Sequence, residues 1–292
     1  MFSEAPSIRT LPGERLHLSH GPIEVVLRAF GRPGAVRLAY DAVASRFAGF
    51  LPELCAELPL LRTRAGKDTT PESPVGRRMA AACAPFSDIF VTPMAAVAGS
   101  VADELLATML SAADLDKAYV NNGGDIALHV AVGHVLDVGV AGDFGRGVRP
   151  GLNGSIRIDS KDAVGGIATS GRHGRSHSLG IADTVTVLAK DAATADVAAT
   201  LIANAVDTGH PSIDRVPACD LAPDSDLGDR LVTVDVGLLP YDEIAKALVA
   251  GLRQARVYRD CGLVVDAALM LQGETVTLNE TAMKTIAGRK AA

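Results

Sequence analysis

Short apolar segments separated by glycine-rich turns constrain this chain more than any other feature of its sequence. They are concentrated in the middle of the chain, where four strands are predicted at residues 118–120, 126–132, 135–140 and 155–158. These runs are short and rich in valine, isoleucine and leucine, as strands are. Because tight turns join many of them, the pattern favours mixed sheets with hairpins over a purely parallel sheet.

Helical patterns alternate with these strands along the rest of the chain. Helices are predicted at residues 34–61 (punctuated by Pro52 and Pro59), 94–113, 192–206 and 241–256, and further strands at 23–30, 184–189, 231–236, 263–271 and 275–278. The polar stretch 63–78 is predicted to be a loop. No linker or internal repeat divides the sequence, so we predict a single α/β (α+β) domain over residues 1–292.

Composition excludes several classes of function. With 48% apolar and 21% charged residues the chain buries a sizeable core, and a net charge of −6 with 4% aromatic residues argues against nucleic-acid binding. The four cysteines show no Cys-x-x-Cys spacing, which excludes zinc-finger and thioredoxin motifs and favours a reducing compartment. The N-terminus has no signal-peptide pattern, and no apolar run is long enough to span a membrane. We expect a soluble cytoplasmic protein whose partner is a small molecule, with homo-oligomerisation left open.

The first candidate site is the turn that contains Asn122, Gly123, Gly124 and Asp125. Glycine allows a backbone to approach a ligand closely, and Asp125 then begins the next strand. The same residues also suit an ordinary two-residue hairpin turn, for which Asn-Gly is favoured. Both interpretations stay open at this point.

The second candidate site runs from Ala168 to His177. Thr169, Ser170 and Gly171 supply small hydroxyls and exposed amides, and Arg172, Arg175 and His177 follow directly. Such a set predicts a phosphate cradle, although a solvated basic loop has the same composition. His173 and His177 have no third ligand nearby, so zinc is not predicted.

The third candidate site is the pair Asp196 and Thr200, which lie four residues apart on a predicted helix and share one face. A carboxylate and a hydroxyl beside a backbone carbonyl suit a hard cation such as Mg²⁺. Asn204 and Asp207 continue the same stripe, which would also fit the solvent face of an amphipathic helix.

Taken in order, the segments NNGGDI, IATSG, DTVTVLA and ATADVAAT resemble the motifs of the ApbE-like superfamily, whose best-characterised members are FAD:protein FMN transferases. The resemblance covers roughly residues 85–210. It implies the ApbE-like fold, Mg²⁺ and a flavin nucleotide or related phosphorylated ligand. It identifies Asp196, Thr200 and the carbonyl of Ala168 as metal ligands, and Asp125 and Asp183 as catalytic candidates. The implied cofactor-binding set is Asn122, Gly123, Gly124, Thr169, Ser170, Gly171, Arg172, Arg175 and His177.

The sequence also departs from the transferase pattern. The family's His-x-x-Asp-Pro-x-x-Gly stretch is replaced by residues 177–184, which lack the proline, and the lipoprotein export signal is missing. Residues 92–99 (TPMAAVAG) look instead like the signature of an uncharacterised cytoplasmic branch of conserved hypothetical proteins. That branch implies a role in methanopterin-type one-carbon metabolism or in sulfur assimilation. Two hypotheses follow: a Mg²⁺-dependent nucleotidyl or flavin transferase, and a non-catalytic cofactor-binding or carrier protein.

Overall fold

The computed structural model describes residues 5–66, 69–141 and 152–279. The strands are β1 (Ser7–Leu11), β2 (Arg15–His20), β3 (Ile23–Phe30), β4 (Lys117–Asn122), β5 (Asp125–Val130), β6 (Val135–Ala141), β7 (Leu152–Asp159), β8 (Gly166–Ser170), β9 (Thr184–Ala189), β10 (Ile213–Pro217), β11 (Leu231–Val236), β12 (Asp266–Leu271) and β13 (Glu274–Thr277). The helices are α1 (Pro33–Phe47), α2 (Phe50–Leu61), α3 (Pro74–Cys83), α4 (Val97–Ala112), α5 (Ala192–Ala205), α6 (Ala218–Leu221) and α7 (Tyr241–Asp260).

The chain forms two compact units, each made of several separate stretches of sequence. Unit 1 comprises Met1–Leu136, Ile158–Ala168 and Ala189–Val197, and unit 2 comprises Asp137–Arg157, Thr169–Leu188 and Ala198–Ala292. Helices and hairpin-linked strands occur together in both units, so the predicted α/β class is confirmed. The pairing is antiparallel between β1 and β2, β2 and β3, β3 and β4, β4 and β5, β5 and β8, β9 and β12, β12 and β13, and β10 and β11.

Unit 1 contains an antiparallel sheet in the order β1-β2-β3-β4-β5-β8. The β4–β5 hairpin pairs Asn122 with Asp125, and both glycines between them have positive φ, 66° and 117°. A type I′ turn requires positive φ at both central positions, so the hairpin interpretation of this turn is confirmed. Separately from this sheet, β6 pairs with β7.

Helix α4 is the core helix of unit 1 and packs against α1, α3, β4 and β5. Val101, Leu105 and Met109 recur at a spacing of four residues and are fully buried. By length and composition alone, Pro93–Ala112 would be apolar enough to cross a membrane, with a mean hydropathy of 1.3. Its contacts explain that composition, because the apolar side chains cover the sheet of unit 1.

Unit 2 contains the antiparallel strands β9, β12 and β13 in that order, and a separate β10–β11 pair. Helix α7 packs on β12 and β13. Its buried residues recur at helical spacing and include Ile244, Leu248, Gly251 and Ala255. A Cβ on Gly251 would lie 2.3 Å from Val206 Cγ2, so the glycine lets the helix approach the core closely.

Local patterns placed most regular elements correctly. The strands at 23–30, 184–189 and 231–236 coincide with β3, β9 and β11. The predicted helix over 34–61 is two helices, α1 and α2, and the break lies at residues 48–49 and not at Pro52, which occupies the first turn of α2. Proline is tolerated there because the first-turn N–H groups have no helical partner.

The predicted loop over 63–78 is wrong at its C-terminal end, where α3 begins at Pro74. Ser73 caps this helix, since its Oγ accepts a 3.0 Å hydrogen bond from the N–H of Gly76. Pro74 occupies the first helical position, where its fixed φ is favourable. Residues 67 and 68 of the predicted loop lie outside the described residues. Strands β1, β2, β8 and β10 were not predicted.

Two glycines of unit 1 allow its segments to meet. A Cβ on Gly99, in the first turn of α4, would lie 2.3 Å from the carbonyl oxygen of Ala192. A Cβ on Gly166, at the start of β8, would lie 2.1 Å from the carbonyl carbon of Asp191. The turn that leads into α5 therefore packs against backbone on two sides, and no side chain fits between.

We expect Gly166→Ala to destabilise the protein by about 1–3 kcal/mol, because the added methyl group overlaps backbone that cannot move away freely. Gly34→Ala is the matched control, since Gly34 lies in α1 with nothing within 4 Å of its Cβ position. That change should be neutral or stabilising by up to about 1 kcal/mol. Urea denaturation of both variants measures the difference, and equal stabilities would contradict the close packing described here.

Candidate functional site

The Asn122 turn is fastened to helix α4. Asn122 is buried, and its Nδ2 donates a 3.1 Å hydrogen bond to the carbonyl of Ala98 in the first turn of the helix. Asn121 Oδ1 accepts from the N–H of Gly124 at 2.9 Å, which stabilises the turn itself. Asp125 follows, half-buried, at the start of β5. The hairpin thus holds Asp125 beside the N-terminal end of α4.

Helices α4 and α5 cap each other through two aspartates. Asp196 of α5 accepts a 3.0 Å hydrogen bond from the N–H of Gly99, at the start of α4. In return, Asp103 of α4 accepts from the first two N–H groups of α5, those of Ala192 at 3.0 Å and Ala193 at 2.8 Å. Backbone N–H groups in a first helical turn have no partner within their own helix, so each carboxylate completes the other helix.

The N-terminus of α5 is consequently closed to an external anion. Asp191 Oδ1 accepts from the N–H of Thr194 at 2.7 Å, in addition to the two bonds to Asp103. The first three N–H groups of the helix are therefore all used within the protein. A phosphate group has to find its donors elsewhere in the chain.

The carboxylates at this junction repel one another. Burial raises the pKa of Asp196 well above its ordinary value, and the nearby charges of Asp125 and Asp103 raise it further, while hydrogen bonds from Gly99 and Ala98 lower it. Burial likewise raises the pKa of Asp103 to about 6, against the effect of its two amide hydrogen bonds. Such a concentration of negative charge is stabilised by a cation or by protons.

A cation here would need neutral oxygen ligands as well. Within the described part of the chain, no group of three or more His, Cys, Asp or Glu side chains is arranged to hold a metal ion. Ala168 lies on β8 directly after Ile167, which pairs with Ile126 on β5. The strand pairing therefore brings the predicted carbonyl ligand to the strand next to the one that Asp125 begins.

The polar stripe of α5 is a set of protein contacts, and its interpretation as a solvent face is wrong. Asp196 bonds to Gly99, Asn204 Oδ1 accepts from the N–H of Leu179 at 3.0 Å, and Asp207 forms an ion pair with Arg215. Thr200 is half-buried, one helical turn after Asp196 on the same face.

Within unit 2, the segment after β8 is closed at its base. Gly171 has φ +150°, and a Cβ there would lie 2.3 Å from the carbonyl oxygen of Asp183. The next residue, Arg172, donates its backbone N–H to the carbonyl of Ala182 at 2.9 Å. Thr169 Oγ1 lies 3.0 Å from Thr186 Oγ1. The fold itself therefore requires glycine at position 171, because a larger residue would clash with the backbone of Asp183.

The charged side chains of this segment divide into two groups. Arg172 binds Asp183 through Nε at 2.9 Å and through Nη2 at 2.8 Å, with both side chains about four-fifths buried (18% and 20% exposed). Asp183 Oδ2 also accepts from the N–H of Gln272 at 2.5 Å, and His173 Nε2 lies 3.3 Å from its Oδ1. Arg175 and His177 are exposed.

These contacts change two of the sequence-based interpretations. The guanidinium of Arg172 is bound to a carboxylate and serves the closure of the segment, so it is not a free phosphate ligand. Asp183 carries hydrogen bonds on both oxygens, so its main role in this structure is positional and not that of a free acid or base. The assignment of the exposed Arg175 and His177 as phosphate ligands stays a prediction.

Sequence reasoning missed Asp103 and the Arg172–Asp183 pair. Asp103 had one visible signal, because it and Glu104 are the charged residues of a mostly apolar helix. A carboxylate in such a helix must be paired or hydrogen-bonded when it is buried. Its partner amides lie 89 and 90 residues away, so no local pattern could identify them.

The raised pKa of Asp103 predicts a pH-dependent stability. Because folding raises the pKa from 3.8 to about 6, the protein is stabilised below pH 3.8 and loses this contribution as the pH rises through 6. Relative to Asp103→Asn, the wild type should lose on the order of 3 kcal/mol across this window, since one pKa unit corresponds to about 1.4 kcal/mol. Urea denaturation of both proteins across this pH range measures the difference in their free energies of unfolding. A difference that does not change with pH would contradict the raised pKa of Asp103.

The ion pair of Arg172 predicts that this side chain supports the fold. Arg172→Ala should destabilise the protein by about 1.5–3 kcal/mol, because it leaves the largely buried carboxylate of Asp183 without its main partner. Arg175→Ala is the matched control in the same segment and should stay within about 0.5 kcal/mol of the wild type. Thermal or urea unfolding of both variants measures their stabilities. An equal loss of stability in Arg172→Ala and Arg175→Ala would argue against the Arg172–Asp183 ion pair.

Comparisons with known proteins place the chain in a family. A family model described as AbpE bacteria matches residues 8–277. A UPF0280 protein of Methanothrix thermoacetophila is 34% identical over 189 residues, which cover 64% of this chain and 72% of that protein. A UPF0280 protein of Methanopyrus kandleri is 34% identical over 150 residues, and the chain spans only 56% of its length (51% of this chain).

Among solved structures, the ApbE protein from Thermotoga maritima is similar at 16% identity, with a TM-score of 0.39 over 85% of this chain and 76% of that one. The family match spans nearly the whole of the described fold, including the Asn122 turn, the segment after β8 and helix α5. It also agrees with the resemblance carried by the sequence motifs. The chain therefore belongs to the AbpE bacteria family, and it is a relative of the archaeal UPF0280 proteins.

Proposed function

We propose that this protein binds a phosphorylated heteroaromatic cofactor, a flavin nucleotide or a related compound, together with Mg²⁺. The proposed chemistry is nucleotidyl or flavin transfer, or another step of cofactor metabolism such as that of one-carbon carriers. One observation carries the proposal: Asp196 bonds to the N–H of Gly99, and the turn before Asp125 bonds to Ala98, so both carboxylates lie at the N-terminal end of α4. There the charge of Asp125 raises the pKa of Asp196. A divalent cation relieves that repulsion.

The residues fit a magnesium ion in their chemistry. Mg²⁺ prefers oxygen ligands, and one or two carboxylates with additional neutral oxygens are a common protein contribution. Asp125 and Asp196 would supply the charge, and the carbonyl of Ala168 and the hydroxyl of Thr200 would supply neutral oxygens. When bound, the ion would neutralise charge on a diphosphate.

The chain's own residues have separate roles in this proposal. Arg175 and His177, exposed in the segment after β8, would hold the phosphate groups, with the hydroxyls of Thr169 and Ser170 as further donors. Asp125 would orient a ribityl, ribose or acceptor hydroxyl next to the metal. The Arg172–Asp183 pair would keep the segment in place.

One observation favours a second candidate, a cofactor-binding or carrier protein without transfer activity. The carboxylate of Asp183 stands in the stretch that departs from the transferase pattern, and its oxygens are occupied by Arg172 and by the N–H of Gln272. Incubation with FAD, Mg²⁺ and a protein acceptor separates the two, since only a transferase releases AMP and attaches the FMN to the acceptor. Flavin release on denaturation would support binding under either candidate. Four free thiols fit the reducing compartment proposed for both.

The proposal predicts that Asp196→Asn loses Mg²⁺-dependent binding. Removing the charge should lower the affinity for FAD in the presence of Mg²⁺ at least tenfold, equivalent to about 1.4 kcal/mol. Isothermal titration calorimetry with and without Mg²⁺ measures this effect. Asp41→Asn is the matched control, because Asp41 is an exposed carboxylate of the same unit, and its affinity should equal that of the wild type.

The melting temperature in EDTA distinguishes a metal ligand from a simple helix cap. The amide oxygen of an asparagine can still accept the N–H of Gly99, and repulsion from Asp125 is relieved, so the metal-free variant should be as stable as the wild type or more stable. A lower melting temperature in EDTA, with Mg²⁺-dependent binding intact, would leave Asp196 as a cap and overturn the metal assignment.

A further inference from the structure

Unit 1 contains a cavity of about 260 Å³ at the end of β5 that is away from the Asn122 turn. It is lined by Leu128, His129 and Val130 on one side and by Asp159, Ala163 and Lys190 among others on the opposite sides. His129 lies four residues after Asp125, which corresponds to roughly 13 Å along a strand. The cavity is therefore separate from the carboxylate pair of the proposed metal site.

The frame of this cavity is rigid. Gly165 accepts a 2.9 Å hydrogen bond from the N–H of Leu128 and donates a 3.0 Å bond to the carbonyl of Ala189. A Cβ on Gly165 would lie 2.3 Å from the carbonyl oxygen of Lys190, so only glycine allows the strands to meet here. These backbone hydrogen bonds thus fix the distance from Gly165 to β5 on one side and to the end of β9 on the other.

The loop between β7 and β8 forms the remaining wall and is ordered by its own hydrogen bonds. Asp159 Oδ1 accepts from the N–H of Lys161, and Asp162 Oδ2 accepts from the N–H of Asp159, both at 2.7 Å. Ala163 adopts a φ of +51°, which is uncommon for a residue with a side chain. The loop therefore holds Asp159, one of the residues that line the cavity, in a defined position.

Two residues of opposite charge, Lys190 and Asp159, line the cavity, and they do not form an ion pair with each other. Among the described residues, the ammonium of Lys190 has no hydrogen bond or ion pair, and the Asp159 carboxylate has no cationic partner. The His129 ring likewise bonds to no described residue. Lys190 and His129 can both donate to a carboxylate, whereas Asp159 can accept from an ammonium group. The remaining lining includes the apolar residues Leu128, Val130 and Val164.

We propose that this cavity binds a small zwitterion that carries an ammonium and a carboxylate group, such as a free aliphatic α-amino acid. The carboxylate of the ligand pairs with Lys190 and His129, and its ammonium group pairs with Asp159. A short aliphatic side chain contacts Val164, since Val130 directly follows His129 on β5 and its side chain points to the opposite face of the strand. The volume of about 260 Å³ admits a compound of this size, whereas drug-sized and cofactor sites usually exceed about 300 Å³.

Titration with three probes tests the proposal on the full chain. L-Alanine carries both charges, acetate carries only the carboxylate, and ethylammonium carries only the ammonium group. Amide chemical shifts of residues 128–130 and 160–165 report binding by nuclear magnetic resonance. L-Alanine should bind at least ten times more tightly than acetate or ethylammonium, because each half-ligand leaves one protein charge unpaired.

Two substitutions and a matched control locate the site. Lys190→Ala and Asp159→Asn should each weaken L-alanine binding at least tenfold, and Asn at 159 can still accept the N–H of Lys161. Lys161→Ala removes a neighbouring exposed lysine that does not line the cavity, and it should bind like the wild type. Asp196→Asn should also bind L-alanine normally, which separates this proposal from the proposed metal site.

Three outcomes would overturn the zwitterion assignment. Acetate binding as tightly as L-alanine would mean a simple anion site, and ethylammonium doing so would mean a simple cation site. The absence of shift changes at residues 128–130 and 160–165 with every probe would mean that Lys190 and Asp159 are solvated surface groups.

Discussion

Two aspartates, the buried Asp103 and the half-buried Asp196, hold the centre of unit 1 together, because each accepts hydrogen bonds from the N-terminus of the other's helix. Asp196 accepts a hydrogen bond from the N–H of Gly99 in the first turn of α4, and Asp103 accepts two from the first N–H groups of α5. The two helices can meet in this way only because Gly99 and Gly166 allow the turn before α5 to touch backbone on both sides. The position of the Asn122 turn depends on the same junction, since Asn122 bonds to the first turn of α4. The arrangement concentrates negative charge where helix dipoles are positive at their N-termini.

That charge balance also limits what the junction can bind. The amides of α5 are already satisfied by aspartate side chains, so an anionic ligand gains nothing from this helix end. A cation, in contrast, would lower the repulsion among Asp103, Asp125 and Asp196. The helix-terminal position therefore favours a metal over a phosphate. In the proposed function, phosphate groups bind to the basic segment after β8.

The sequence predicts local structure well wherever a repeating pattern determines it. Alternation of buried side chains defines β3, and the continuous apolar run Thr184–Ala189 defines β9, so both were located correctly. The start of α3 was missed although Ser73-Pro74 is a strong helix-start signal, because the surrounding polar residues suggested a loop. Candidate positions such as Asp125 and Asp196 could be named from motif order. Their partners could not be, because Gly99 and Asp196 lie 97 residues apart and meet only in the folded chain.

The closure of the segment at residues 171–183 bears on how this family can diversify. Gly171, Arg172 and Asp183 join its two ends through a backbone contact and an ion pair, while residues 173–177 between them are exposed. Exposed residues between fixed ends tolerate substitution and insertion without loss of the scaffold. Relatives can therefore exchange the tip of this segment to suit a different ligand and retain the same base, which would let one fold acquire new specificities through changes in a few adjacent codons.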